Sequence, residues 1–127
     1  MSGHLWILVF PLSLPALAPF FREGLTRSFD GGLHLLRIGL LDRHMRSGVF
    51  YPRWMPEPLL GHGYPLFNFY APGAYYAAEA FVLLGFSPYY AWIAAMAIFV
   101  MAAGLGMYVL AFSVYGRRHL PALVAAV

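Results

Sequence analysis

Asp30, His34 and Arg37 stand four and three residues apart, a spacing that brings them to one lane of a helix turning about 100° per residue. A carboxylate, an imidazole and a guanidinium so arranged could accept a proton from a hydroxyl, share it, and hold a phosphate through the planar arginine fork. Asp30 precedes Gly31 and Gly32, which let a backbone or ligand approach closely. It reads as a general base or a metal-binding carboxylate, and equally as the N-cap of the helix it opens. Asp30 and His34 give two ligands where zinc wants three or four, so a divalent metal at Asp30 is an open option. Arg53, between Pro52 and Trp54, has a rigid setting in which to bind an anion or stack on a ring. His62, Asn68 and Tyr70 could line a polyol or sugar pocket, or satisfy the backbone of their own loop; Trp54 and Tyr64 join them as candidate substrate contacts. Glu79 lies in an apolar segment, where a carboxylate is costly unless paired or wet.

The elements that must position these groups belong to a membrane protein. The chain has 127 residues, 61% of them hydrophobic and 10% charged, with a mean hydropathy of +0.68. A soluble domain is about 45–50% apolar and about 25% charged, so neither a water-soluble globule nor a disordered chain fits. No cysteine is present, which excludes disulfides, thiolate zinc sites and a cysteine nucleophile. No phosphate loop, dinucleotide fingerprint, nucleophile elbow or zincin motif occurs. All eight basic residues are arginine, and the net charge of +3 is too mild for a nucleic-acid-binding tail.

An all-α, polytopic membrane fragment is expected, with about three spans and the start of a fourth. Residues 5–21 form an uncharged apolar run whose three prolines a membrane helix tolerates. A cleaved signal peptide is the rival reading, but no arginine or lysine precedes the run and Pro19 would follow the cut. Residues 22–70 form a large loop holding six of the eight arginines and four of the five acids. Within it, Asp30–Arg46 reads as a helix stopped at Ser47-Gly48. Asp42, Arg43 and Arg46 fall opposite the Asp30–His34–Arg37 lane, so one lane should face water and the other a protein cavity; Leu41, inside the first lane, is the exception. Residues 49–72, rich in Pro, Gly and aromatic rings, should be an ordered loop at the bilayer interface. Residues 71–86 read as a second span, 88–115 as a third, and 120–127 as the start of a fourth, which makes the chain the N-terminal piece of a longer protein. Arg117 and Arg118 argue for a cytoplasmic turn. After three spans, that would leave the N-terminus outside and the large loop in the cytoplasm.

Three stretches in this order carry a resemblance: Asp30-Gly31-Gly32-Leu33-His34-Leu35-Leu36-Arg37, then Gly48-Val49-Phe50-Tyr51-Pro52-Arg53-Trp54, then Gly61-His62-Gly63-Tyr64-Pro65-Leu66-Phe67-Asn68-Phe69-Tyr70-Ala71-Pro72. Together they resemble the N-terminal part of the bacterial membrane proteins labelled "6-pyruvoyl-tetrahydropterin synthase-related", which are similar to GT-C glycosyltransferases. The resemblance covers nearly the whole chain, and nothing in these residues supports the pterin chemistry of the label. It implies a multi-pass protein of the bacterial cytoplasmic (inner) membrane that takes sugar from a polyprenyl-phosphate donor. It also implies an outward-facing first loop bearing a key acid, the position of Asp30, and an N-terminus inside, against the span count above.

The resulting expectation is a fragment of a GT-C-like glycosyltransferase, inactive without the rest of the protein. Asp30 would act as base or metal ligand, with His34 beside it, and Arg37 or Arg53 would neutralise donor phosphate. Membrane lipid and the polyprenyl-phosphate donor would be its partners, and the acceptor is open. The alternative is a non-enzymatic transporter or assembly subunit that uses the loop as a binding surface.

Overall fold

The computed structural model describes residues 4–21 and 30–127; Arg22, Glu23 and Arg27 of the charged loop lie outside the described residues. Regular structure among the described residues is helical apart from one isolated antiparallel bridge, Met55 to Tyr64. A 3-10 turn, Leu5–Leu8, leads into α1 (Val9–Leu17) and a second 3-10 turn, Ala18–Phe21. Then follow α2 (Gly31–Arg46), the short α3 (Leu66–Phe69), α4 (Gly73–Leu83), α5 (Pro88–Val114) and α6 (His119–Ala125). These form two compact units, one of residues 30–95 and one of residues 4–21 with 96–127.

In the second of these units, Val9, Tyr108, Ala111, Ala122 and Ala126 make a small core. Gly104 lets the helices approach closely: a Cβ there would stand 3.1 Å from both the Ala126 carbonyl and the Val9 side chain. The Tyr108 hydroxyl and His119 Nδ1 are hydrogen-bonded at 2.6 Å.

The unit of residues 30–95 holds every candidate functional residue. Its core joins Ile38, Leu40 and Leu41 of α2 to Tyr75, Ala78 and Val82 of α4, with Met55, Leu66, Phe67, Ala91 and Ala95. α2 ends where its sequence predicts: Gly48 turns left-handed at φ 88°, and the amides of Gly48 and Val49 bond back to Met45 and His44. Such a C-terminus satisfies carbonyls that the helix leaves open. Leu41, the apolar exception in the Asp30–His34–Arg37 lane, is fully buried; that lane packs on α4. On the other side, Arg43 and Arg46 are exposed, and Arg46 Nε donates to Asp42 Oδ1 at 2.6 Å.

Among the described residues one helix is long and apolar enough to cross a bilayer, where about three spans and the start of a fourth are expected. α5 has 27 residues and is apolar throughout, about 40 Å at 1.5 Å per residue. It has the length and composition to cross a bilayer. The Leu5–Phe20 stretch is shorter but also apolar. α4, within the expected second span, has 11 residues and reaches only about 16 Å, roughly half the hydrocarbon thickness. Its apolar residues are spent on the core against α2, and the chain then turns at Gly85 (φ 97°) before α5 begins.

α4 also buries Glu79, which is 1% exposed, with neither carboxylate oxygen hydrogen-bonded to a donor. Burial, and then the carboxylate of Asp42, raise its pKa to about 7, with Arg46 acting in the opposite sense. In the folded chain Glu79 therefore holds its proton where the unfolded chain has lost it. Stability from this group is fully present below about pH 4.5 and is lost as pH rises through about 7. Thermal unfolding in detergent should show a loss on the order of 2 kcal/mol between pH 5 and 8. Glu79→Gln should flatten that dependence, and an unchanged pH slope in the variant would exclude Glu79 as its source.

Candidate functional site

The site is assembled where α2 meets α4 and the start of α5. Tyr75, in the first turn of α4 and 4% exposed, places its hydroxyl 2.9 Å from Arg37 Nη1 and 3.0 Å from His34 Nδ1. The chemistry of the guanidinium fixes the direction of one bond: it can only donate, so the Tyr75 oxygen accepts from Arg37. The other bond runs from the phenol to His34 when the imidazole carries its proton on Nε2, and from His34 to the phenol when it carries it on Nδ1. Trp92 of α5 stacks on the imidazole at 4.7 Å between centroids, with the planes within 14°. Burial, followed by the charge of Arg37, lowers the His34 pKa below its ordinary value, partly offset by Asp30. The neutral imidazole is thereby favoured, and its Nδ1 is already engaged by Tyr75.

Arg37 has a second aromatic partner: its Cζ lies 4.0 Å above the centre of the Tyr70 ring, a cation–π contact. Burial alone would lower its pKa, but the hydroxyls of Tyr75 and Tyr70 outweigh this and raise it. The charge is permanent, and among the described residues no carboxylate is paired with it.

That charge stands on the wall of an apolar groove of about 360 Å³. Leu33, Leu36, Arg37 and Leu40 of α2 form one side; Pro58, Leu59, Tyr64, Leu66 and Tyr70 close the other. Leu33 and Leu36 are half exposed because they line this opening rather than the core. The loop wall is firmly built. Met55 and Tyr64 exchange two backbone hydrogen bonds at 3.1 and 2.8 Å, and Tyr51 donates to the Phe67 carbonyl at 3.1 Å. Tyr76 also donates to the Phe50 carbonyl. The ordered aromatic loop expected from sequence is present.

Of the residues singled out from sequence, His34 and Arg37 meet at Tyr75, and Arg37, Tyr64 and Tyr70 share the groove. Asp30 lies exposed at the mouth of α2; its side chain makes no capping hydrogen bond, so the capping alternative is not realised. Its backbone carbonyl accepts from the His34 amide at 3.0 Å. Arg53, His62 and Asn68 are exposed and do not line the groove. Trp54 is exposed too, with its indole against Gly63, where a Cβ would lie 2.5 Å from the ring nitrogen. Among the described residues no three of His, Cys, Asp or Glu gather as a metal site. Tyr75 and Trp92 are the residues that sequence reasoning misses. The available signal was Tyr75, Tyr76 and Glu79, three hydrogen-bonding positions within five residues of an otherwise apolar helix. Compared with known protein families, curated proteins and solved structures, the chain matches none.

The Tyr75 hydroxyl is expected to donate to His34 Nδ1, a bond that favours the neutral imidazole and is lost with the hydroxyl. The His34 imidazole should therefore titrate at a higher pH in Tyr75→Phe than in the unmodified chain. Nitrogen-15 NMR of the ring reads both the titration and the Nε2–H tautomer. A wild-type ring protonated on Nδ1 would overturn the assigned direction of the relay.

Proposed function

We propose that the chain is the N-terminal part of a GT-C-like glycosyltransferase of the bacterial inner membrane, and that the groove receives a polyprenyl-phosphate sugar donor. One observation carries this reading: Arg37, charged and unpaired by any described carboxylate, stands on the wall of an otherwise apolar groove. A free phosphate would not need the leucines, and a simple hydrocarbon would not tolerate the guanidinium. A ligand with a phosphate joined to an isoprenoid chain uses both. Arg37 neutralises the leaving phosphate, while Tyr75 and Tyr70 hold its planar fork in place. In an inverting displacement the acceptor oxygen forms a bond to the sugar C1 as the bond from C1 to the phosphate oxygen breaks. The acceptor proton passes to the exposed carboxylate of Asp30. His34, with Nδ1 occupied by the Tyr75 proton, acts through its Nε2–H as a donor that positions substrate rather than as the base.

The short α4 supports the topology that the resemblance implies. With α4 outside the bilayer, only two spans, residues 5–21 and 88–114, precede the Arg117-Arg118 turn. An arginine-rich turn belongs in the cytoplasm. Counting back across two spans puts the N-terminus inside and the loop of residues 22–87 outside, facing periplasmic substrates.

The test is transfer from a labelled polyprenyl-phosphate sugar by the whole protein in membranes. Arg37→Ala should raise KM for the donor about ten- to a hundred-fold, the loss expected for a charged hydrogen bond. Asp30→Asn should leave KM near wild type and lower kcat by about 10²–10⁴, the share of a positioned base. Donor binding unchanged by Arg37→Ala would remove the groove as the donor site, and wild-type kcat in Asp30→Asn would remove Asp30 from the chemistry.

A further inference from the structure

The loop that closes the groove ends in a strained apolar tip. Between the bridged residues Met55 and Tyr64, Leu59 and Leu60 both take left-handed backbone conformations, φ 57° and 59°. A branched side chain is poorly suited to that region, which glycine, asparagine or aspartate fill in water-facing turns. The tip is nonetheless held in a hydrogen-bonded frame. Gly63 donates to the Pro58 carbonyl at 3.0 Å and His62 to the Leu59 carbonyl at 3.1 Å. Near its base Glu57 Oε1 lies 3.7 Å from Arg43 Nη1 of α2, an ion pair on the surface. Leu59 is 64% exposed and Leu60 101%, so Leu60 gains no burial from the chain that holds it outward. Leu59 alone belongs both to the tip and to the groove.

We propose that this tip inserts into the acyl region of the bilayer, and that Leu59 marks where an amphiphile passes from the membrane into the groove. The bilayer is the partner because this unit carries its own anchor. Its last residues are the first two turns of α5, the helix long and apolar enough to span. Leu84 and Phe86, exposed in the turn just before it, extend the apolar surface at that point. A lipid surface therefore lies within reach of the unit without any encounter in solution. The inference rests on the membrane reading given above and on no step of the transfer chemistry, so the two fail separately.

The chain has no cysteine, which allows single nitroxide labels. Leu60→Cys, with Ile98→Cys in α5 and Ser47→Cys at the end of α2 as references, is placed in vesicles of phosphatidylethanolamine and phosphatidylglycerol. Collision of each label is measured with oxygen, which concentrates among acyl chains, and with a water-soluble nickel chelate. The label at 60 should follow that at 98, with an oxygen-to-nickel ratio several-fold above the one at 47. Nickel access at 60 with oxygen access at 98 would put the tip in water and overturn the inference, leaving the span intact. Nickel access at both would overturn the inference together with the membrane reading. Shielding of position 60 from both reagents would overturn it by showing the tip covered by protein.

Discussion

A buried phenol hydroxyl has one proton to give and needs somewhere to put it. At Tyr75 that requirement organises the whole unit. Its oxygen accepts from Arg37 and shares a second hydrogen bond with His34 Nδ1, so one hydroxyl holds two residues of α2 against α4. Trp92 then walls the imidazole from α5, and three helices converge on one ring. The arrangement depends on α2 and α4 sharing a core through Leu41, Ala78 and Val82; the apolar packing sets the distance at which the hydroxyl meets both partners. Arg37 leaves this junction with its charge turned toward the groove rather than cancelled by a neighbour.

Farther along the same two helices, Glu79 faces Asp42, which is already bonded to Arg46. Burying a carboxyl without donors is unfavourable in its ionised form, so the proton that Glu79 retains near neutrality is part of the interface. α4 thus meets α2 through a hydrogen-bonded phenol and, one turn on, through a buried acid that keeps its proton. Both are sensitive to the spacing of the helices. A change in ionisation at Glu79 acts on the same packed surface that aligns Tyr75 with His34 and Arg37.

Much of α2 was legible in the sequence. The lane of Asp30, His34 and Arg37 and the stop at Ser47-Gly48 follow from helical spacing and from glycine, both local properties. The same locality misled the reading of residues 71–86. An apolar run looks alike whether it meets lipid or protein, and the packing of Tyr75, Ala78 and Val82 on α2 depends on residues more than thirty positions away. Tyr75 itself was hidden among many aromatic residues, because its partners lie 41 and 38 residues distant. The loop showed its order through prolines and rings, but the Met55–Tyr64 bridge and the left-handed leucines have no signature in composition. Arg53, Trp54, His62 and Asn68 illustrate the reverse case: suggestive types in rigid settings that the fold turns outward from the groove.

The two kinds of apolar helix separate what composition adds together. α4 hides its apolar residues against α2, whereas α5 leaves Ile98, Phe99, Met107, Val109, Leu110 and Val114 exposed along its length. Water would not favour so much exposed hydrocarbon on one helix, and a bilayer supplies the missing contacts. α5 has the length and composition to cross a bilayer, and α4 does not. The arginines within the loop need not obey the positive-inside tendency when they have specific work: Arg37 is fixed by Tyr75 and Tyr70, Arg46 by Asp42, and Arg43 by Glu57. Charge engaged in this way belongs to the architecture of a site, and the retained charge of Arg37 is the part of it left for a ligand.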